Sequence, residues 1–167
     1  NQEEARSMAD RIVVMNDARI QQIADPLTIA TKPATEVVAR LTGDNNILRG
    51  GVTSHEGDRL FIADEAEHLR VSVRATDDSP AVGSPVTIAI RAAAVTVDDG
   101  SGDGLNSAEC EIVFVEFLGD LVKLHLLAGP ERMLAKVAAE HYPTLRGREG
   151  QRIWISWKEG DVQLLDA

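Results

Sequence analysis

The sequence is short of several things, and each shortage excludes something. Cys110 stands alone, so a disulfide within one chain and a thiolate-only metal site are both ruled out. Aromatic residues make up 4% of the 167 residues, which leaves Val, Ile, Leu and Ala to fill most of the core. No apolar run approaches the ~18 residues that a membrane-crossing helix needs, so no direct membrane insertion is expected. Positive charge is scarce. The 17 Lys and Arg face 27 Asp and Glu, a net charge of −10. That balance argues against nucleic acid or an anionic membrane surface as the main partner. The start, Asn1-Gln2-Glu3-Glu4, has neither an initiator Met nor a signal-peptide pattern, and Asn1 reads as a cut inside a longer polypeptide.

Chemistry-bearing motifs are scarce too. No G-x-x-x-x-G-K-[ST] phosphate loop occurs, so the chain is not expected to hydrolyse nucleotides by itself. His55, His68, His125 and His141 lack the H-x-x-x-H spacing of a metal site, and for His68 and His125, on strand faces with charged neighbours, a solvated position is the expected reading. Cys110 lies between Glu109 and Glu111, the wrong setting for a reactive thiolate, and reads as a small buried hydrophobe. Asp98, Asp99 and Asp103 are interleaved with glycines, but the spacing is not that of an EF-hand loop. Trp154 and Trp157 fall on opposite faces of a strand, so they do not make a stacking platform. No catalytic, cofactor-binding or metal-binding residue is therefore assigned, and no cofactor is expected in this segment.

What is present is ordinary globular material, 44% hydrophobic and 26% charged. The character changes near Gly43. In residues 1–43, helix formers (Glu3, Glu4, Ala5, Arg6, Met8, Ala9) precede two short apolar β-type runs, Ile12–Met15 and Arg19–Ile23. Asn16-Asp17-Ala18 between them predicts a tight hairpin turn. Asp25-Pro26 reads as a helix N-cap with proline in the first turn, and Thr35–Leu41 as a second helix closed by Gly43.

Residues 44–167 carry recurring short strands. Leu69–Val73, Val86–Ile90, Val122–Leu126 and Ile153–Trp157 alternate apolar and polar positions. Ile112–Val115 is apolar on both faces, the pattern of a central strand. Gly50-Gly51, Gly57, Gly83, Gly119 and Gly129 are read as turns, and Asp98–Ser107 as an exposed or poorly ordered tract. The expectation is an antiparallel, barrel-like β domain. Most of the acidity, −9, belongs to this part, and −1 to residues 1–43.

The first segment also carries a family resemblance. Gln2-Glu3-Glu4-Ala5, Met8-Ala9-Asp10-Arg11-Ile12-Val13-Val14-Met15, Arg19-Ile20-Gln21-Gln22-Ile23 and Asp25-Pro26 resemble the end of an ABC-transporter ATPase domain. In that family this stretch directly follows the switch histidine. Ala18 and Ala24 stand where the family usually has glycine, and Ala92 where proline is common after Ile90-Arg91. Thr42-Gly43, Asn46-Ile47-Leu48, Phe117-Leu118-Gly119-Asp120 and Ile153–Trp157 resemble the C-terminal TOBE domain, a barrel related to the OB fold. The tail is most similar to the polyamine, iron or sugar importer subgroup.

The resemblance implies a mainly β, OB-like antiparallel barrel over 44–167, preceded by a short α/β remnant of the ATPase domain over 1–43. It implies a C-terminal regulatory and dimerisation module whose parent binds ATP and Mg and hydrolyses ATP to drive solute uptake. The catalytic groups would lie upstream of Asn1, so the segment itself would be no enzyme. A homodimer is expected, in part because orphan strands 12–15 and 19–23 need to dock on their own domain or on a second copy. The parent would meet permease subunits and a solute-binding protein at the cytoplasmic face of the inner membrane. Two alternatives are an oxyanion-binding β module, disfavoured by the −9 charge, and a free-standing OB-fold binder, which would need a basic, aromatic groove.

Overall fold

The computed structural model describes residues 9–100 and 104–166. The helix expected within residues 1–8 lies outside them. Strands β1 (Ile12–Asn16) and β2 (Arg19–Ala24) form the expected hairpin. Asp17 and Ala18 both sit at positive φ, +49° and +59°, the geometry of a type I′ turn that matches strand twist. Helix α1 (Pro26–Thr31) is capped by Asp25, whose carboxylate accepts from the Thr28 amide and hydroxyl. Helix α2 (Glu36–Leu41) begins at the cap Thr35 and buries Val38 and Ala39 completely.

The β part consists of β3 (Asn45–Glu56), β4 (Arg59–Asp64), β5 (Arg70–Arg74), β6 (Pro85–Arg91), β7 (Thr96–Asp98), β8 (Ser107–Phe117), β9 (Leu121–Ala128), β10 (Glu131–Ala138), β11 (Arg152–Ser156) and β12 (Val162–Leu165). A short helix α3 (Tyr142–Leu145) lies between β10 and β11. Two antiparallel five-stranded sheets result, ordered β12-β6-β3-β4-β5 and β10-β9-β8-β11-β7. One apolar cluster, from Leu48 to Val162, fills the space between them. Burying such side chains contributes roughly 1.5–3 kcal/mol each, so this cluster holds the fold.

The two sheets are copies of one another. The strands run as two successive five-strand units, β3 to β7 and β8 to β12, and each unit gives its fifth strand to the other's sheet. The registers agree residue by residue. A bulge at Val52/Ser54 opposite Phe61 is repeated at Ile112/Phe114 opposite His125. Arg59, Phe61, Arg70, Ser72 and Arg74 of the first unit correspond to Lys123, His125, Arg132, Leu134 and Lys136 of the second. After β6 and β11 comes a 3-10 turn, Ala92–Ala94 in one unit and Glu159–Asp161 in the other. Neither unit keeps its own fifth strand, so both depend on the same core.

Two asparagines stitch the sheets together. Asn46 of β3 donates to the Leu134 carbonyl at 2.9 Å and accepts from the Leu134 amide at 2.6 Å. Asn106, just before β8, does the same to Ser72 of β5, at 2.9 Å and 2.7 Å. Each side-chain amide stands in for a neighbouring strand at an otherwise open sheet edge.

Several expectations need correction. Gly50-Gly51 is no turn. It lies inside β3, where the strand passes from pairing with β6 to pairing with β4. A Cβ at Gly50 would stand 1.9 Å from the Ala63 carbonyl oxygen, so close backbone approach demands the glycine. Ile112–Val115 does lie in a central strand, but the bulge turns Val113 and Phe114 outward, 48% and 51% exposed. The loop tract is shorter than Asp98–Ser107: Asp98 ends β7, Asn106 is buried and Ser107 opens β8. Residues 101–103 of that tract, with Asp103, lie outside the described residues. Of the two dockings expected for the β1–β2 hairpin, on its own domain or on a second copy, the single chain bears only on the first, and there the hairpin joins neither five-stranded sheet. It stands ordered as a two-stranded sheet, held by Gln22, which donates to the Lys32 carbonyl and accepts from the Ala34 amide. Val13 pairs across with Ile23 and Met15 with Ile20, all four between 44% and 58% exposed.

Candidate functional site

Glu36 and Asp44 flank the start of β3, and each serves two cations. Glu36 meets Arg40 and Arg49, both at 2.7 Å. Asp44 meets Lys123 at 2.9 Å and Lys136 at 2.8 Å. The Arg40 hydrogen bond, joined by Arg49, outweighs partial burial and holds the Glu36 carboxyl below its usual range. Burial pushes the Asp44 carboxyl up, but the Lys136 and Lys123 ammonium groups outweigh it and hold the group down.

Beside these pairs opens a groove of about 690 Å³. Ile47, Val113, Leu127 and Leu134 supply its apolar walls, and Arg40, Lys123, His125 and Arg132 its cationic and dipolar rim. His125 Nε2 lies 2.9 Å from the Glu116 carboxylate, and its ring tilts against Phe114 at 5.6 Å. Arg132 makes no ion pair among the described residues. A patch of exposed apolar groups, Phe114, Phe117 and Leu118, continues along β8. Phe117 stacks on Tyr142 at 4.7 Å.

The corresponding seam of the first unit looks different. There Glu159 pairs with Arg59 at 2.8 Å and accepts from the Ser72 hydroxyl, Glu56 pairs with Arg70, and Asp58 with Arg74. Arg70 lies over the Phe61 ring at 4.0 Å. The Ser72 hydroxyl, opposed by some burial and helped by Arg59, holds the Glu159 carboxyl low.

The other weighed residues do not assemble. His55, His68 and His141 are exposed and separate, His55 against the Pro80 carbonyl. Cys110 is fully buried, and burial together with the Glu109 charge pushes its thiol up to about 12. Trp157 is buried, and Trp154 faces the other way with partial exposure. Asp98 and Asp99 edge a second groove with Thr96, His141 and Thr144, and Asp99 is held by Arg148 at 2.7 Å. No cluster of His, Cys, Asp or Glu fit for a metal exists among the described residues. No helix among them is long and apolar enough to cross a membrane. The groove itself was missed in the sequence. Its residues come from four distant segments, and only the repeat Asn46/Asn106 gave a signal that could have located it.

Residues 88–165, from β6 to β12, match the model of the TOBE domain, and over nearly its whole length the chain is similar to import ATP-binding proteins. Over 158 residues it is 36% identical to the spermidine/putrescine import ATP-binding protein of Rubrobacter xylanophilus, an alignment covering 94% of this chain and 41% of that one. The putrescine transport ATP-binding protein of Escherichia coli is 28% identical over 156 residues, 92% of this chain and 40% of its own length. The chain thus spans about two fifths of these relatives. Among solved structures, the cytoplasmic molybdate-binding protein ModG in its molybdate-bound form superposes with a TM-score of 0.64, covering 73% of this chain and 96% of that one. At 19% identity that likeness concerns the fold.

Proposed function

We propose that this chain is the C-terminal regulatory and dimerisation part of the ATP-hydrolysing subunit of an ABC importer. Residues 1–43 are then the end of the ATPase domain with its linker helices, and residues 44–167 the TOBE domain. One observation carries the reading: identity to import ATP-binding proteins extends over 94% of the chain, well beyond the matched family domain. The names of those relatives point to a polyamine as the imported solute. ATP and Mg would be held by residues of the subunit outside this chain. The subunit would work at the cytoplasmic face of the inner membrane against permease subunits, with a solute-binding protein delivering the cargo.

The hairpin supports the same reading. Val13, Met15, Ile20 and Ile23 are apolar and about half exposed among the described residues, as expected of strands that complete a larger sheet. A TOBE domain that pairs with its twin would tie two ATPase halves together and couple its interface to their closure on nucleotide. The net charge of −10 opposes pairing, but salt screens it beyond ~8–10 Å.

Light scattering coupled to size exclusion at moderate salt tests the dimerisation claim. The expected mass is twice the 18.0 kDa of one chain, and a mass of one chain across the micromolar range refutes it. The ATPase assignment is tested separately by adding Mg and ATP. Thermal stability of this chain should not change, whereas the full-length subunit should be stabilised and show turnover. A full-length subunit without turnover in the presence of its permease would overturn the assignment.

A further inference from the structure

The two units of the barrel are each other's control, and their seams differ in one respect. In the first, Arg59, Arg70 and Arg74 each have a separate carboxylate: Glu159 for Arg59, Glu56 for Arg70, Asp58 for Arg74. In the second, the equivalents Lys123 and Lys136 share Asp44, and Arg132 has no partner among the described residues. The residue opening the 3-10 turn is Glu159 in one unit and Ala92 in the other, so the carboxylate that closes the first seam is missing from the second. The counterpart of Glu56 is Glu116, and it is engaged with His125 instead. An excess of positive charge therefore collects at one place on a chain whose net charge is −10.

That place is also where the groove opens. Its floor is apolar, with Ile47, Val113 and Leu127, and Arg132 is exposed at its rim. A guanidinium without a partner presents a planar fork of donors suited to a phosphate or carboxylate. From this juxtaposition we infer that the groove between β3, β9 and β10 binds a small organic anion, its phosphate or carboxylate head on Arg132 and Lys123 and its apolar body over Ile47, Val113 and Leu127. The volume of about 690 Å³ suits a molecule rather than a bare ion, since small-molecule sites run ~300–1,000 Å³. This inference stands apart from the importer assignment, because it uses only the geometry of one chain.

The test is titration of the whole chain with phenyl phosphate and with 3-phenylpropionate, followed by calorimetry and by amide chemical shifts. At least one should bind one-to-one and saturably below ~1 mM, with shifts centred on Arg132, Leu134 and Ile47. Inorganic phosphate should bind about tenfold more weakly, because it gains nothing from the apolar floor. Arg132→Gln should weaken the organic anion about tenfold, whereas Arg70→Gln, its counterpart in the neutralised seam, should leave affinity within about twofold. Both arginines are exposed, so both variants fold. Absence of saturable binding to both probes overturns the inference. So does equal affinity for inorganic phosphate, or equal loss from the two arginine variants, which would mean diffuse attraction without a site.

Discussion

Replacing Asn46 by alanine removes both hydrogen bonds that bind the edge of β10 to β3. Asn46 is 4% exposed, and the groups it serves are the amide and carbonyl of Leu134, at 2.6 and 2.9 Å. Each backbone group left unpaired away from water costs ~1–3 kcal/mol, so the pair should cost ~2–5 kcal/mol, at the low end if a water enters. For a chain of this size that is a fall in melting temperature of roughly 5–15 °C. Asn46→Asp is the sharper probe. One aspartate oxygen can still accept from the Leu134 amide, but the other faces the Leu134 carbonyl without a proton to donate. The buried charge is penalised, so the folded pKa of the new carboxyl rises above its unfolded value. Its destabilisation is then full at neutral pH and relieved as the pH falls through the raised pKa. Neighbouring Asn45 serves as control, because among the described residues its side chain makes a single hydrogen bond, to the Ala39 carbonyl at 2.6 Å, and its Oδ1 is buried without a partner there. Asn45→Ala should cost less than half as much. Thermal melts followed by circular dichroism at pH 7 and pH 5 read all three variants. An Asn46→Ala loss under ~1 kcal/mol, or an Asn46→Asp variant with the parent's pH dependence, would refute the stitching role.

Ala18 sits at φ +59° in the hairpin turn, where a Cβ is strained, so Ala18→Gly should stabilise the hairpin by roughly 1 kcal/mol, seen as slower amide exchange in β1 and β2. Cys110 should resist a thiol reagent at pH 8 and react only in denaturant, because burial and Glu109 push its thiol up to about 12; rapid native labelling would contradict this. Glu36, Asp44 and Glu159 all have carboxyls held low by partners, so the stability they contribute is present at neutral pH and is lost as pH falls below the ordinary 4.5 and 3.8. A chemical-denaturation series should show stability declining with acid in that window, and less steeply in Asp44→Asn, Lys123→Gln, Lys136→Gln combined.

Much of the local structure was determined by the sequence alone. The caps Asp25 and Thr35 work through side-chain oxygens that reach only the first turn of a helix, so two or three adjacent residues suffice to recognise them. The turn at Asp17-Ala18 and the inward sets Val122–Leu126 and Ile153–Trp157 follow from equally local patterns, since strand periodicity is two residues. The resemblance of the first residues to the end of an ATPase domain is likewise carried by contiguous sequence. Tertiary structure decided the rest. Val113 and Phe114 read as core, but a bulge shared with β9 sets which face they take, and a bulge is a property of two strands in register. Gly50-Gly51 reads as a turn, yet it is the point where one strand changes partners, with Ala63 against its backbone. The repeat is not legible in the sequence because its units agree in register and in burial while differing in side chains, Phe61 against His125, Ser72 against Leu134. Exchange of the fifth strands, pairing of Asn46 with Leu134, and the charge left unmatched at Arg132 all join residues far apart in sequence. No local pattern encodes such neighbours, because they come together only when two sheets close over one core.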